Sequence, residues 1–502
     1  MLKNKKINNS IFKDLFIFEM ANNHSGDLNL AKKIVDQCYL IKEKYALNAA
    51  VKLQYRNLKN FIHPDFVNNK EVKHIKRFVE TELSENDFNS LVEYIKKKKL
   101  IPISTPFDET SVDLCVIQNL PIIKVASCSM SDWPLLEKVC LSKKLVIIST
   151  GGHSLENIDK VYNFFLHRNI DFALMHCVSI YPTPKKQLNL SLIRKYKNRY
   201  PDTIIGYSGH ENPDDCEIIK MAISSGAEIL ERHVGIDNSK YPLNSYSLNQ
   251  KQLDKWVFSA KEAKKILGFN NNKILTKEEL NSVKELSRGV YCKKDIKKNE
   301  LISRDKVYFA MPLQKNQLNS GEYNNSLKSS KNYKKSEPII DFPRKPTFFK
   351  IRKLIHIFKA MFNEANIPLG NNYEIELSHH YNIEKFEKIG ALLITIINRD
   401  YCKKIIAQLP GQSHPSHYHE KKEETFQILH GSMLVKRNDE TFELKKGDTL
   451  LIQRRDVHSF KTKSGVIFEE ISTKHIKGDS YYIDKKIQRA DPILRKTVLE
   501  DW

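Results

Sequence analysis

ILERHVGID, residues 229–237, passes from two apolar residues straight into an acid, a base and an imidazole. A run that ends this way is either an ordinary charged strand or helix end, or the last strand of a barrel whose rim carries chemistry. The segments upstream decide between these. Short, largely β-branched runs recur before it: LFIFEMA (15–21), AAVKLQ (49–54), IPIST (101–105), IIKVAS (122–127), LVIIST (145–150), DFALMHC (171–177) and TIIGYS (203–208). With EILERHV (228–234) they make eight. Amphipathic stretches such as NLAKKIVDQCYLIKEKY and SENDFNSLVEYIKKKK lie between them. Strands that are apolar almost throughout belong to parallel sheets covered on both faces. Eight such βα units in roughly 250 residues predict an α/β fold, a TIM (β/α)8 barrel. A doubly wound open sheet is the alternative, and no phosphate-binding glycine fingerprint supports it.

In such barrels the chemistry sits at the carboxyl ends of the strands, where the βα loops meet. Taken in order, those ends carry Glu19, then Lys52 and Gln54, Ser104 and Thr105, Lys124 and Ser127, and Ser149 and Thr150. His176 follows, with Ser179 and Tyr181 beyond it, then Ser208 and His210, and finally Glu231 and His233. One polar strand end is best explained by solvent or capping; eight together describe a site. Two lysines facing inward are costly unless they meet anions. Hydroxyls beside them suit a phosphate or carboxylate. His210 and His233, on neighbouring strands with a glutamate nearby, are candidate ligands for a divalent ion, although each alone reads as a hydrogen-bonded core residue.

The stretches FEMANNHSGD, KLQYR, STPFDETSVD, KVASCSMSDWPLL, STGGHSLENI, HCVSIYPTP, GYSGHENPDD and LERHV occur in this order. Together they resemble the motifs of the sialic acid synthase family, over about 15–312. The resemblance implies condensation of phosphoenolpyruvate with an open-chain amino sugar or aldose, giving a nonulosonic-type 2-keto-3-deoxy acid and phosphate. It assigns Lys52, Thr105, Lys124, Ser127, Ser149 and Ser208 to phosphoenolpyruvate. His210 and His233 would hold Mn²⁺ or Mg²⁺, which polarises the aldehyde. Glu19, Tyr181 and Glu231 would orient the sugar or move protons. SRGVYCKKDIKKNELISRDKV (287–307) is similar to the family's antifreeze-like (SAF) module, which implies a homodimer. Three positions depart from the pattern: Ser129 stands for a glutamate, Asn244 for an aspartate and Met311 for an arginine. The changes fall on the sugar side, so a different aldose is expected rather than loss of catalysis.

Beyond the barrel, the organisation expected is a synthase domain over 1–280, a truncated SAF-like β module over 281–314, a polar linker over 315–336 and a cupin domain over 337–502. The linker reading rests on KNQLNSGEYNNSLKSSKNYKKS, which is poor in apolar residues. The last segment opens with helical material and continues as short alternating strands joined by Gly-Asp and Asn-Asp turns, an all-β pattern. Gly411, His417-x-His419, Glu424 and Gly431 follow the spacing of the first cupin motif, and Gly447 and His458 that of the second, with Gln453 and Arg455 replacing its Pro and Gly. Two histidines at alternate strand positions share a face, and Glu424 and His458 complete a His₃Glu set for Mn, Zn or Fe. A metal-free sugar-binding cupin is the alternative. FEEISTKHIKGDSYY resembles the tail of D-lyxose-isomerase-like cupins, so an isomerase, an epimerase or a binding module would each fit.

The 502 residues carry a formal charge of +22, spread along the chain with no arginine-rich arm. Nucleic-acid binding is not expected, and a basic field favours an anionic substrate. Eight scattered Cys without CxxC spacing fit reduced thiols and a cytoplasmic protein. No run reaches the ~18 apolar residues of a membrane span, and the basic opening has no export-signal core. A different phosphoenolpyruvate-dependent sugar-acid synthase and a non-catalytic carbohydrate-binding protein are the competing readings.

Overall fold

The structure is a computed structural model and describes residues 10–67, 72–237, 242–268, 273–341, 347–370 and 373–499. The first nine residues of the basic opening and most of the Asn-rich stretch at 270–273 lie outside them. The chain divides into two compact units between Lys273 and Ile274.

The first unit is a closed parallel barrel of eight strands in sequence order. They are β1 (Leu15–Glu19), β2 (Asn48–Tyr55), β3 (Ile101–Pro106), β4 (Ile122–Val125), β5 (Leu145–Ser149), β6 (Phe172–Cys177), β7 (Ile204–Gly209) and β8 (Ile229–His233). Each matches one of the eight runs read from the sequence. Helices cover the outside, and their local signals are ordinary. In the helix Leu28–Tyr45, Asp27 caps the start by accepting from the amides of Asn29 and Leu30, and Ala46 ends it in the left-handed conformation. Ala31, Ile34, Val35, Cys38 and Ile41 form its buried face. Replacing Asp27 by Ala should cost about 1 kcal/mol.

Residues two apart on a strand face the same way, and this builds the interior in layers. Ile17, Ala50, Ile103, Ile122, Ile147 and Ile229 join one apolar cluster with Phe12 and Leu15. Two residues further along the same strands come Glu19, Lys52, Thr105, Lys124, Ser149 and Glu231. The barrel is therefore filled with aliphatic side chains below and polar ones above. On β7 the apolar position is Gly206, where an added Cβ would lie 2.3 Å from Met175 Sδ and 2.7 Å from Ile229 O. Only glycine lets the strands close there. Outward-facing residues such as Phe18, Val51, Leu53, Val125 and Ile148 pack under the helices.

The second unit begins with a small β module. β9 (Gly289–Cys292) and β10 (Val307–Ala310) pair antiparallel. The segment 315–336 is not a linker. Leu318, Leu327 and Tyr333 are buried in one cluster with Val290, Cys292, Ile296, Ile302 and Ile339. Its backbone bridges Ile296 to Tyr333 and Leu301 to Lys328, and Tyr333 donates to Asp341 at 2.8 Å. The module therefore extends to about Asp341 and is not truncated at 314. Its few apolar residues fall where they reach the core, and the polar remainder is surface.

The helix Thr347–Glu364 packs Leu354, Ile355, Phe358 and Phe362 against a curled antiparallel sheet. That sheet comprises β11 (Glu374–Ser378), β12 (Ala391–Asn398), β13 (Tyr401–Gln408), β14 (Ser413–Tyr418), β15 (Glu424–Arg437), β16 (Glu440–Lys445), β17 (Thr449–Ile452), β18 (His458–Lys461), β19 (Val466–Thr473), β20 (Tyr481–Tyr482) and β21 (Lys496–Leu499). Its main path runs β20-β14-β18-β15-β19-β13-β12-β11-β21, the all-β barrel expected of a cupin. Gly431, just past the bulge of β15, has a φ of 76°, and a Cβ there would meet Gly465 O at 2.2 Å. Among the described residues no helix is long and apolar enough to cross a membrane.

Candidate functional site

The barrel rim holds a compact charged cluster. Register sets Glu19 level with Lys52 on one side and His233 on the other, and Ser208 level with Glu231. Glu231 lies between two buried lysines, 2.9 Å from Lys52 Nζ and 2.8 Å from Lys124 Nζ, and accepts from Ser208 Oγ at 2.9 Å. Lys52 also pairs with Glu19. Burial alone would raise the Glu231 pKa, but Lys124 and Lys52 outweigh it and hold the carboxylate ionised. Burial pulls Lys52 down to about 7, with Glu231 opposing and Lys124 adding to the fall. The opening stretch is thereby explained. Glu231 and His233 face inward, while Arg232, between them, points the other way and is paired in full burial with Glu211.

His210 and His233 have ring centroids 5.3 Å apart. Burial lowers His210 to about 4 and His233 well below its ordinary value, so both are neutral imidazoles. His210 Nδ1 is 3.2 Å from Val178 O, and His233 Nδ1 is buried without a partner among the described residues. Two neutral, partly unanswered imidazoles side by side fit a divalent ion. No third His, Cys or carboxylate atom joins them closely among the described residues. The Tyr181 ring lies tilted against His210 at 4.4 Å and against Tyr246 at 5.2 Å between centroids; Tyr246, which the sequence reading missed, also lies 5.1 Å from His233. Thr105 Oγ1 is buried without a partner among the described residues. Ser149 is buried, and Ser127 Oγ accepts from Gly151 N at 3.0 Å. His176 belongs to the outer core instead, between Tyr196 and Tyr207 with Nε2 on Leu188 O at 2.7 Å. Of the divergent positions, Ser129 is buried and Asn244 donates to Asn23 at 3.2 Å, while Met311 is exposed.

The cupin holds a second cluster. His417, His419 and His458 bring ligand nitrogens within 4.8 Å of one another. Each Nδ1 lies at a backbone carbonyl: Pro415 at 3.1 Å, Asp479 at 2.5 Å and Asp456 at 3.0 Å, respectively. A proton held there leaves Nε2 as the ligand atom. His458 Nε2 is buried without a hydrogen-bond partner among the described residues. Glu424 Oε1 is 2.8 Å from His419 Nε2, and Oε2 is 3.8 Å from His458 Nε2. Burial lowers His417 and His458, so both are neutral. The donor set fits a divalent ion, with Glu424 adjacent. Lys422, which the sequence reading missed, is buried and lies 2.5 Å from Glu424 and 2.9 Å from Glu470. These carboxylates outweigh burial and raise its pKa. Lys422 and Glu424 stand two apart at the head of β15, so strand alternation was the signal available for it.

Comparison with known proteins bears on both units. A family model described as the NeuB family matches residues 41–272, and one described as a cupin domain matches 405–469. A Methanocaldococcus jannaschii protein described as uncharacterized is 32% identical over 299 residues, covering 59% of this chain and 84% of the relative. The chain belongs to the NeuB family. It is similar to the N,N'-diacetyllegionaminic acid synthase of Campylobacter jejuni, 28% identical over 65% of this chain and 99% of that one. It is also similar to human N-acetylneuraminate-9-phosphate synthase, 28% identical over 58% and 80%. A crystal structure from Chromobacterium violaceum, provisionally described as spore coat polysaccharide biosynthesis protein E, is 39% identical with a TM-score of 0.63, covering 65% of this chain and 98% of that one. The protein is thus a NeuB-type enzyme, a transferase of the class that uses phosphoenolpyruvate, carrying a cupin domain.

Proposed function

We propose that the barrel condenses phosphoenolpyruvate with an open-chain aldose or amino sugar, releasing phosphate and forming a 2-keto-3-deoxy acid. The observation that carries this reading is the rim cluster of Lys52, Lys124 and Glu231 beside the His210–His233 pair. Each ammonium has three donors. Glu19 and Glu231 occupy some of them, and the rest, with Thr105, Ser127, Ser149 and Ser208, can receive a phosphate and a carboxylate. Glu231 is pinned by two lysines and a serine, so it fixes both ammoniums in place. Glu19, held by one lysine, has more freedom to orient the sugar or move a proton, and Tyr181 covers the histidines from the loop after β6. A divalent ion, Mn²⁺ or Mg²⁺, on His210 and His233 would polarise the sugar aldehyde. C3 of the enol attacks that aldehyde carbon, whose oxygen takes a proton. Water adds to the cationic C2, and C–O cleavage expels phosphate.

Changed groups at Ser129, Asn244 and Met311 point to a sugar different from that of the named relatives. Division of the chain into synthase, β module and cupin, a homodimeric assembly and a cytoplasmic location belong to the same reading. The cupin acts on or binds a sugar with a divalent ion (Mn, Zn or Fe) on His417, His419 and His458, and Glu424 beside them. The barrel reading is tested by phosphate release from phosphoenolpyruvate against a panel of hexoses and N-acetylated hexosamines. Sugar-dependent release that His210→Ala abolishes in a folded protein supports it. Release without any sugar, or full turnover by the variant, refutes it.

A further inference from the structure

We infer that the cupin cavity takes a sugar bearing an anionic group, a phosphate or a carboxylate, and that Lys404 anchors that group. The inference rests on the reading of the cupin as a sugar module and names the class of sugar.

The cavity has a volume of about 420 Å³, within the usual range for a small-molecule site. Its wall is built by strand alternation. Glu424 and Phe426 on β15, His458 and Phe460 on β18, and Lys404 and Ile406 on β13 line it in pairs. Each of these three strands thus adds a polar residue and an apolar one, which suits a ring with one charged end.

The charges do not balance. Among the described residues, five cationic side chains line the cavity against three carboxylates. Lys496 is answered by Glu376 at 2.8 Å. Lys422 is answered by Glu424 and Glu470. That uses the carboxylates. Glu470 is the register partner of Lys404 across β13 and β19, yet its carboxylate lies on Lys422. Lys404 is only 5% exposed and forms no ion pair among the described residues. Arg495, also on the wall, donates to Ile487 O at 3.2 Å and lies 5.2 Å from the Tyr482 ring, with no carboxylate partner among the described residues. A divalent ion on the histidines would add to the excess. A buried ammonium with no counterion is costly, and an incoming anion removes that cost.

The test is calorimetric titration of the divalent-metal-loaded full chain with two probe pairs: mannose and mannose 6-phosphate, and N-acetylmannosamine and N-acetylneuraminate. Lys404 lies on a cupin strand, so its substitution reads this cavity whatever the barrel binds. At least one anionic probe should bind in a manner that Lys404→Gln weakens on the order of tenfold or more and Lys404→Arg preserves; the probe that responds identifies phosphate or carboxylate. Lys404→Met should leave the melting temperature unchanged or higher, because it removes an unpaired buried charge; a lowered one would mean a structural partner and overturn the inference. Equal binding of neutral and anionic sugars, unmoved by Lys404→Gln, overturns the anion and leaves the sugar reading standing. No binding sensitive to Lys404→Gln or to His417→Ala with His419→Ala overturns both.

Discussion

The barrel rim and the cupin cavity both bury lysines among histidines, and they treat the charge differently. At the rim, Lys52 and Lys124 share the Glu231 carboxylate, and Glu19 takes a second donor of Lys52. In the cupin, Lys422 is similarly held between Glu424 and Glu470, but Lys404 has no such partner among the described residues. The histidines differ too. The rim offers two, with other positions left for substrate, whereas the cupin offers three held through their Nδ1 atoms, with a carboxylate beside them. A shared carboxylate fixes two ammoniums rigidly, which suits a site that must position a doubly anionic substrate. An unanswered lysine reserves its charge for whatever enters.

Breaking the shared carboxylate should have the largest effect. Glu231→Gln leaves two buried lysines short of an anion and should cost about 3–5 kcal/mol, read as a lowered unfolding midpoint, together with loss of phosphate release. Adding Lys124→Met should recover part of the stability and none of the activity; additive losses would show that the two groups are not coupled. The contrasting change is His417→Ala with His419→Ala. Metal analysis of the full chain should show about one divalent ion lost per chain, while phosphoenolpyruvate turnover stays within about twofold. A collapse of turnover would mean that the cupin helps build the synthase site.

A smaller effect follows from the burial of Lys52. Its ammonium is lost as pH rises through about 7, so affinity for an anionic substrate falls on the alkaline side. The kcat/KM for phosphoenolpyruvate should decline toward about tenfold per pH unit there. A profile flat to pH 9 would contradict this assignment. The mildest change is at the module boundary. A chain ending at Pro338 loses Ile339 and Asp341, which complete the β module. It should melt earlier than one ending near residue 345, and equal melting would mean that the module closes without them.

The barrel was legible because its strands are nearly all apolar and its polar rim residues follow them at a spacing of two. The rim residues themselves were legible, but their pairing was not: Glu231 meets Lys52 and Lys124 across 179 and 107 residues, and no local pattern records which carboxylate serves which lysine. Arg232 sat among the candidates' neighbours until strand direction turned it outward to Glu211. The segment 315–336 was misread because composition averages over position. Leu318, Leu327 and Tyr333 are few, yet each reaches the core. In the cupin, motif spacing revealed the histidines, while Lys404 and Glu470 lie on strands outside the motif and become partners in the wall only when β13 and β19 pair.

The most direct test of the account follows the bridging oxygen of phosphoenolpyruvate. With ¹⁸O in the C–O–P bridge and an accepting sugar present, the label should leave entirely in inorganic phosphate, and none should leave when His210 is replaced by Ala. Label retained in the organic product, or phosphate released at the same rate without sugar, would contradict condensation at the Lys52–Lys124–Glu231 rim.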